Sequence, residues 1–138
     1  MDIAFDLAEP IKGHIGKEHY KVDIIWRNGV LIADEPAVVG GKDLGPDPYT
    51  LLLSSLAACT LSTLRMYIDR KGWQFEEINI SLNMYQNKEG ELSTTIIRDI
   101  DFSNDVTEEQ KERLLLIASK CPISKILKNK IEIQTILD

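Results

Sequence analysis

The chain has 138 residues, of which 43% are hydrophobic and 28% are charged. This length predicts a single domain over residues 1–138, and this composition argues against a disordered or fibrous protein. The 22 acidic residues outnumber the 16 basic residues and give a net charge of −6 at pH 7. Because an acidic surface repels phosphate backbones and the sequence has no block of Lys and Arg, we expect no nucleic-acid partner.

Neither the amino terminus nor the most apolar segment has the pattern of a targeting or membrane segment. The first ten residues, MDIAFDLAEP, carry acids where a signal peptide has bases, and they lack its apolar run. The most apolar segment, residues 51–61, is shorter than the roughly 20 apolar residues that a membrane helix needs. We therefore expect a cytoplasmic protein without a membrane partner.

The chain opens with the pattern of a β-hairpin. Residues 19–26 (HYKVDIIW) alternate apolar and polar side chains over most of their length, which is the period of a strand. The Asn28-Gly29 step is a strong signal for a tight turn, and residues 30–32 begin the returning strand. A loop rich in Gly and Pro, residues 38–48, follows this hairpin.

A long helix is predicted next. Asp47 is a good N-cap, and Pro48 suits the first helical position. The helix should run from Pro48 to about Lys71, with Gly72 as the residue that ends it. Its first half is apolar or small nearly all round, which is typical of a helix surrounded by protein. A chain of this size can hardly cover such a helix alone, so the pattern favours a dimer.

The second half of the chain predicts further strands and two more helices. Apolar residues alternate through the next two strands, Thr107 and Gln110 fit a capping box, and Pro122 separates the helices. We expect strands at residues 73–85, 91–102 and 131–137, and helices from Thr107 to about Lys120 and from Pro122 to about Lys128. The resulting order, β-β-α-β-β-α-α-β, predicts an α+β fold with mostly antiparallel sheets.

The two cysteines, Cys59 and Cys121, occupy different settings. Cys59 lies in the apolar middle of the long helix, where an unreactive packing role is ordinary and a reactive thiolate needs a nearby cation. Cys121 lies between two helices, where it is a candidate N-cap with free backbone N–H groups ahead of it. Lys120 and Lys125 add positive charge nearby, so a packing role and a chemical role are both open for Cys121.

Other site motifs are weak or absent from the sequence. His14 and His19, the two histidines, have no ligand spacing with either cysteine, so we expect no metal. The sequence has no phosphate-binding loop, dinucleotide fingerprint or nucleophile elbow, and we expect no cofactor. It also lacks C-x-x-C, which argues against a general disulfide-exchange protein.

Two segments of the sequence resemble those of the OsmC/Ohr family, which is named for osmotic induction and organic hydroperoxide resistance. Residues 45–60 (GPDPYTLLLSSLAACT) are similar to the family signature, with the spacing from Pro48 to Cys59 preserved. Residues 121–124 (CPIS) resemble the second-cysteine motif. The resemblance covers about residues 18–138, and the pair of motifs is more specific than either cysteine alone.

The resemblance implies a fold and a function. The family fold is an intertwined homodimer, in which antiparallel sheets wrap two long central helices. The resemblance implies that Cys59 is the peroxidatic thiol and Cys121 the resolving thiol. The expected substrates are organic hydroperoxides, with H2O2 used less well, and the expected reductant is a dithiol of the lipoyl type. In this chemistry a thiolate becomes a sulfenic acid that condenses with the second thiol.

The family also places an arginine against the reactive sulfur and a Glu directly after the Pro to hold it. Arg27, at the hairpin turn, is our candidate for this arginine, although an exposed turn residue is an equally good interpretation. Arg65 is an alternative that faces another way on the long helix and reaches the sulfur only across a dimer. Tyr49 stands where the family has Glu, so Glu35 or Tyr49 itself would have to take over that role.

This departure from the family pattern motivates a second hypothesis. The chain could keep the fold without the catalysis and act as a dimeric module that binds a small hydrophobic ligand in an apolar cleft. Inert thiols together with ligand binding would distinguish this module from a peroxidase.

Overall fold

The computed structural model of the chain describes residues 3–138, which form two compact units. The first unit ends at Leu52 and the second begins at Leu53, so the boundary falls inside a helix. A single domain over residues 1–138 therefore stays a prediction. Both units combine antiparallel strands with helical segments, which confirms the α+β class.

The first unit contains a three-stranded antiparallel sheet in the order β1-β2-β3. The strands are β1 (Lys12–Ile15), β2 (Val22–Trp26) and β3 (Gly29–Ala33). Trp26 pairs with Gly29, so Arg27 and Asn28 form the predicted tight turn. The sequence did not predict β1, because its four residues are all exposed and carry no alternation that marks a buried face.

The connection from β3 to the long helix is organised around the buried carboxylate of Asp34. This loop contains a short 3-10 helix, Ala37–Val39. One oxygen of Asp34 accepts the N–H groups of Tyr20 (3.1 Å) and Glu35 (2.7 Å). The other accepts those of Lys42 (3.3 Å) and Leu44 (3.2 Å). Burial raises the pKa of Asp34, but the four N–H donors outweigh it and hold the pKa below its usual range.

The long helix, α1, spans Pro48–Lys71 and has the predicted bounds. The Asp47 carboxylate accepts hydrogen bonds from the Thr50 N–H and the Thr50 hydroxyl, which confirms Asp47 as the cap. Gly72 ends the helix in the left-handed conformation at φ 71°. The N–H groups of Gly72 and Trp73 then donate to carbonyls of the last turn, as in a Schellman motif.

By length and composition alone, α1 could cross a membrane, which differs from the expectation based on residues 51–61. The whole helix is long and apolar enough to meet this criterion because apolar residues continue beyond residue 61. Core helices of soluble proteins pass the same test, and the buried residues Leu64 and Ile68 of α1 lie in a hydrophobic core. Only 28% of the apolar window of α1 is buried within the chain.

The second unit packs a hairpin and two helices around the carboxyl-terminal part of α1. Strands β4 (Ile78–Asn87) and β5 (Ser93–Phe102) pair in antiparallel register, and α2 (Glu108–Ser119) and α3 (Pro122–Leu127) follow. The predicted capping box is present, because Thr107 and Gln110 each accept the backbone N–H of the other. The core residues of this unit come from α1, α2 and the segment before β4: Leu64, Tyr67, Ile68, Phe75, Leu114 and Ala118.

Two strand predictions in this unit need correction. Residues 131–137 form no strand, because no other strand of residues 3–138 pairs with them. Their apolar side chains stay exposed, with Ile133 84% and Leu137 97% accessible. Strand β4 begins at Ile78 rather than at residue 73. The reason is that Arg65 binds two of the intervening carbonyls, at Phe75 (2.8 Å) and Glu76 (3.0 Å).

Candidate active site

The structure brings the two cysteines together within the second unit. Cys59 lies on α1 and is half-buried, whereas Cys121 is fully buried at the N-cap of α3. The Ile123 N–H donates to the Cys59 Sγ at 3.5 Å and the Ser124 N–H donates to the Cys121 Sγ at 3.4 Å, so the first turn of α3 contacts both sulfurs. Both cysteines are free thiols. The sequence placed Cys121 at an N-cap correctly, but it did not show that the two sulfurs are neighbours.

Cys121 is surrounded by hydrogen-bond donors. Its Sγ accepts the Ser124 N–H at 3.4 Å and lies 3.0 Å from the Ser124 Oγ and 3.7 Å from the Thr60 Oγ1. Burial raises the pKa of the Cys121 thiol, but hydrogen bonds from Ser124, Thr60 and Cys59 outweigh it and lower the pKa from 9.0 to about 7. Donors of this kind favour the thiolate form of Cys121 over the neutral thiol.

Arg98 on β5 supplies the cation of this cluster. Its Nη1 donates to the Thr60 Oγ1 and the Ser124 Oγ, each at 2.8 Å, and lies 3.9 Å from the Cys121 Sγ. Among residues 3–138 no carboxylate forms an ion pair with Arg98. The positive charge is thus directed at two hydroxyl groups and a sulfur rather than neutralised by an acid.

The sequence contained a signal for Arg98 that our predictions did not use. In β5 the inward-facing positions alternate, and Arg98 is in phase with the half-buried Ile96 and Ile100. An arginine on the inner face of a strand is costly unless it meets a polar partner. Its phase therefore indicated a buried polar site, although the sequence could not say that the partners come from α1 and α3.

The predicted arginine, Arg27, lies in the first unit, where its guanidinium stacks over the Trp26 ring at 5.4 Å. Its role beside the reactive sulfur stays a prediction. The alternative, Arg65, binds the carbonyls that precede β4 and forms an ion pair with Asp69 at 3.7 Å. Tyr49, which stands at the position of the family Glu, is 57% exposed in the first turn of α1.

A comparison with protein-family models identifies the chain. Residues 40–136 match the model described as OsmC-like protein. The chain belongs to the OsmC-like protein family. The matched residues include the long helix with Cys59, the strand with Arg98 and the N-cap with Cys121. The resemblance that the two cysteine motifs indicated is therefore confirmed.

Solved structures share the fold of this OsmC-like protein at low sequence identity. An OsmC-like protein from Mycoplasma pneumoniae has a TM-score of 0.69 and 20% identity, with 90% of this chain and 89% of that chain covered. The organic hydroperoxide resistance protein OsmC from Legionella pneumophila has a TM-score of 0.68 and 18% identity, with 91% of this chain and 92% of that chain covered. An organic hydroperoxide resistance protein from Elizabethkingia anophelis has a TM-score of 0.66 and 21% identity, with 93% of this chain and 94% of that chain covered. No curated protein matches the chain.

Arg98 and Ser124 also line a cavity of about 410 Å³ in this OsmC-like protein. Its wall is largely aliphatic: Leu56, Ile96, Ile100, Leu115 and Leu127. This cavity is within the size range of small-molecule sites, and two of its polar lining residues, Arg98 and Ser124, also contact Cys121. Among residues 3–138 no cluster of His, Cys, Asp or Glu has the composition of a metal site.

Proposed function

We propose that this OsmC-like protein is a thiol peroxidase that reduces organic hydroperoxides, and H2O2 less well, through Cys59 and Cys121. The observation that carries the proposal is the pair of free thiols held by neighbouring N–H groups of α3, with Arg98 beside Cys121 and no carboxylate of residues 3–138 paired with that arginine. The names of the Legionella and Elizabethkingia structures, organic hydroperoxide resistance proteins, agree with this chemistry.

The burial of the two sulfurs supports the order of the steps. A peroxide reaches the half-buried Cys59 more easily than the fully buried Cys121. Attack of the Cys59 sulfur on the O–O bond forms a sulfenic acid and releases an alcohol. The Cys121 sulfur then displaces water from the sulfenic acid and forms a disulfide. A dithiol, of the lipoyl type by the family resemblance, reduces that disulfide by thiol–disulfide exchange.

We also propose that the protein acts as a homodimer in the cytoplasm. A second copy would cover the apolar surface of α1, of whose apolar window only 28% is buried in one chain. In such a dimer Arg27 is our candidate for a further cation at Cys59. A cytoplasmic location suits two thiols that must be returned to the reduced state after each turnover.

The test is the intact mass of the reduced protein before and after one equivalent of cumene hydroperoxide, with H2O2 in parallel. We expect a loss of two hydrogens within the mixing time, faster with the organic peroxide. Cys121→Ser is the matched control, because it should stop at a sulfenic acid that dimedone traps at Cys59. An unchanged mass in the wild type, or full turnover in Cys59→Ser, would rule out the mechanism.

The cavity beside Arg98 supports a second candidate function, which is binding of a small hydrophobic ligand without catalysis. Its aliphatic wall and volume of about 410 Å³ suit such a ligand. This function requires thiols that do not react with peroxide and a ligand whose binding is weakened by filling the cavity, for example with Ala118→Leu. The mass experiment therefore separates the two candidates.

A further inference from the structure

The Ser124 hydroxyl has one hydrogen atom, and the neighbours of its oxygen limit where that hydrogen can point. Arg98 donates to the Ser124 Oγ at 2.8 Å, which occupies a lone pair of that oxygen. The remaining close partner of the Ser124 Oγ is the Cys121 Sγ at 3.0 Å. The hydroxyl hydrogen is therefore free to point at the sulfur, and Arg98 polarises the O–H bond from the other side.

The Thr60 hydroxyl has a different part in the cluster. It also accepts from Arg98, but it donates its hydrogen to the Leu56 carbonyl at 2.7 Å. The Cys121 Sγ, at 3.7 Å, is a distant second partner for that hydrogen. Thr60 thus holds the guanidinium in place, whereas Ser124 connects it to the sulfur.

Apart from the Thr60 hydroxyl, the groups of residues 3–138 that contact the Cys121 Sγ can donate a hydrogen bond or carry positive charge. The Ser124 N–H donates to the sulfur, the Ser124 Oγ lies 3.0 Å from it, and the Arg98 Nη1 lies 3.9 Å away. Arg98 from β5 and Cys59 from α1 are the charged or titratable groups that contact Cys121 among residues 3–138. Such a set of donors favours a sulfur that carries negative charge over a neutral thiol.

We propose that Arg98, acting through Ser124, keeps the negative charge of the thiol pair on Cys121, and that Cys121 removes the Cys59 proton when Cys59 attacks the peroxide. This inference rests on the proposed peroxidase function and specifies how its first step is activated. Cys121 is then a base before it is a resolving thiol. Arg98 is a positioning residue, because it acts on Cys121 and not on the peroxide.

The atoms and charges of these reaction steps balance. The reactive form holds Cys59 as a thiol and Cys121 as a thiolate. As the Cys59 sulfur bonds to the outer peroxide oxygen and the O–O bond breaks, its proton moves to Cys121 and the alkoxide takes a proton from water. The Cys121 thiol then loses its proton as it bonds to the Cys59 sulfur, and the sulfenic oxygen leaves as water. The organic hydroperoxide is reduced to an alcohol, and the two cysteines are oxidised to a disulfide.

The arrangement explains how Cys59 can react although Tyr49 replaces the family Glu. In the family resemblance an arginine held by that Glu stabilises the peroxidatic thiolate. Here the neighbouring thiolate of Cys121 removes the proton during the attack itself. The cation that supports this charge comes from β5 instead of the first hairpin.

The first test asks whether Cys121 assists Cys59 before any disulfide forms. The rate of Cys59 alkylation by iodoacetamide and the rate of its oxidation by cumene hydroperoxide are measured at pH 7 in the wild type and in Cys121→Ser. We expect both rates to fall about tenfold or more in the variant, and to recover at high pH, where hydroxide removes the proton. A purely resolving Cys121 would leave both rates unchanged, and that result would overturn the proposal.

The second test follows the thiolate of Cys121 by its absorbance at 240 nm in a Cys59→Ala background. We expect the titration midpoint to rise by at least about one pH unit when Arg98→Met or Ser124→Ala is added. Arg98→Lys should restore part of the shift, and Arg65→Met serves as the control for loss of an arginine elsewhere. An unchanged midpoint in folded Arg98→Met and Ser124→Ala variants would contradict the role of Arg98.

Failure of this inference and failure of the peroxidase proposal give different results. If the wild type does not react with peroxide, the peroxidase proposal fails. The alkylation rates and the 240 nm titration still decide whether Arg98, Ser124 and Cys121 activate Cys59. If the wild type reduces peroxide while Cys121→Ser reacts as fast in the first step, the peroxidase proposal stands and this inference fails.

Discussion

Asp34 in the first unit and Cys121 in the second unit are both buried groups surrounded by donors, and they differ in where the donors come from. Asp34 is held by four backbone N–H groups. Cys121 is held by one backbone N–H and by side chains of Ser124 and Arg98. Backbone donors are fixed once the loop has folded, whereas the direction and charge of side-chain donors can change. A buried anion of the first kind organises a loop, and one of the second kind is suited to chemistry.

The largest expected effect is the loss of Asp34. In Asp34→Ala the four N–H groups around the carboxylate lose their acceptor, which is costly for donors that are partly buried. We expect the loop between β3 and α1 to lose its fold, with a broad or absent thermal transition for the first unit. Amide hydrogen exchange of Leu44 measures the effect directly. A native exchange pattern in this variant would show that the carboxylate is not the organising group.

The acid stability of the first unit depends on its two hydrogen-bonded carboxylates. The pKa values of Asp34 and Asp47 are both lowered in the folded chain, the first by backbone N–H donors that outweigh burial and the second chiefly by the Thr50 hydroxyl. A lowered folded-state pKa gives stability that is complete well above the unfolded value of 3.8 and is lost as the pH falls through the folded value. Urea midpoints should therefore fall below about pH 4. Asp47→Asn, which keeps a capping side chain, should show a smaller fall than the wild type.

Ser124→Ala should separate reactivity from stability in the second unit. The variant removes the hydroxyl that connects Arg98 to Cys121 but keeps the Ser124 backbone N–H. We expect the reaction of the thiol pair at pH 7 to slow about tenfold, while the free energy of unfolding changes by no more than about 1 to 2 kcal/mol. The two quantities are measured by alkylation rate and by urea unfolding. Equal losses in both would mean that Ser124 is only a packing residue.

The smallest expected effect is that of Thr107→Ala, which removes hydrogen bonds far from the cysteines. Thr107 and Gln110 form the capping box of α2, and loss of an N-cap hydroxyl costs about 1 kcal/mol. We expect a change of that size in unfolding free energy and no change in the alkylation rate of Cys59. The variant thus calibrates what an ordinary hydrogen bond contributes in this unit, and a slower alkylation would contradict the local character of the site.

The parts of the structure that follow from neighbouring residues could be predicted from the sequence. The cap at Asp47, the capping box at Thr107 and the proline after Cys121 set the bounds of the helices, because each acts within one turn. The cluster around Cys121 depends on α1, β5 and α3, which are distant in sequence. The alternating pattern of β5 could show that Arg98 faces inward, but it could not show which hydroxyl groups Arg98 contacts.

The strand prediction for residues 131–137 failed for a related reason. Alternating Ile residues satisfy the local requirement for a strand, but a strand also needs a partner with free N–H and C=O groups. No strand of residues 3–138 pairs with this segment, so its local pattern forms no sheet. The edge strand β1 shows the opposite case, since its pairing with Val22 and its neighbours exists without a hydrophobic pattern to announce it.

The position of the two cysteines gives the proposed disulfide a thermodynamic consequence. A bond between Cys59 and Cys121 would close a loop that contains the whole β4–β5 hairpin and α2. In the chain-entropy model, closing a loop of this length restricts the unfolded chain enough to raise the stability of the folded state by about 4 kcal/mol. The oxidised protein would then be the more heat-resistant form, and each turnover would cycle the second unit between a tightly and a loosely constrained chain. Its melting temperature would read out the redox state of its cysteines.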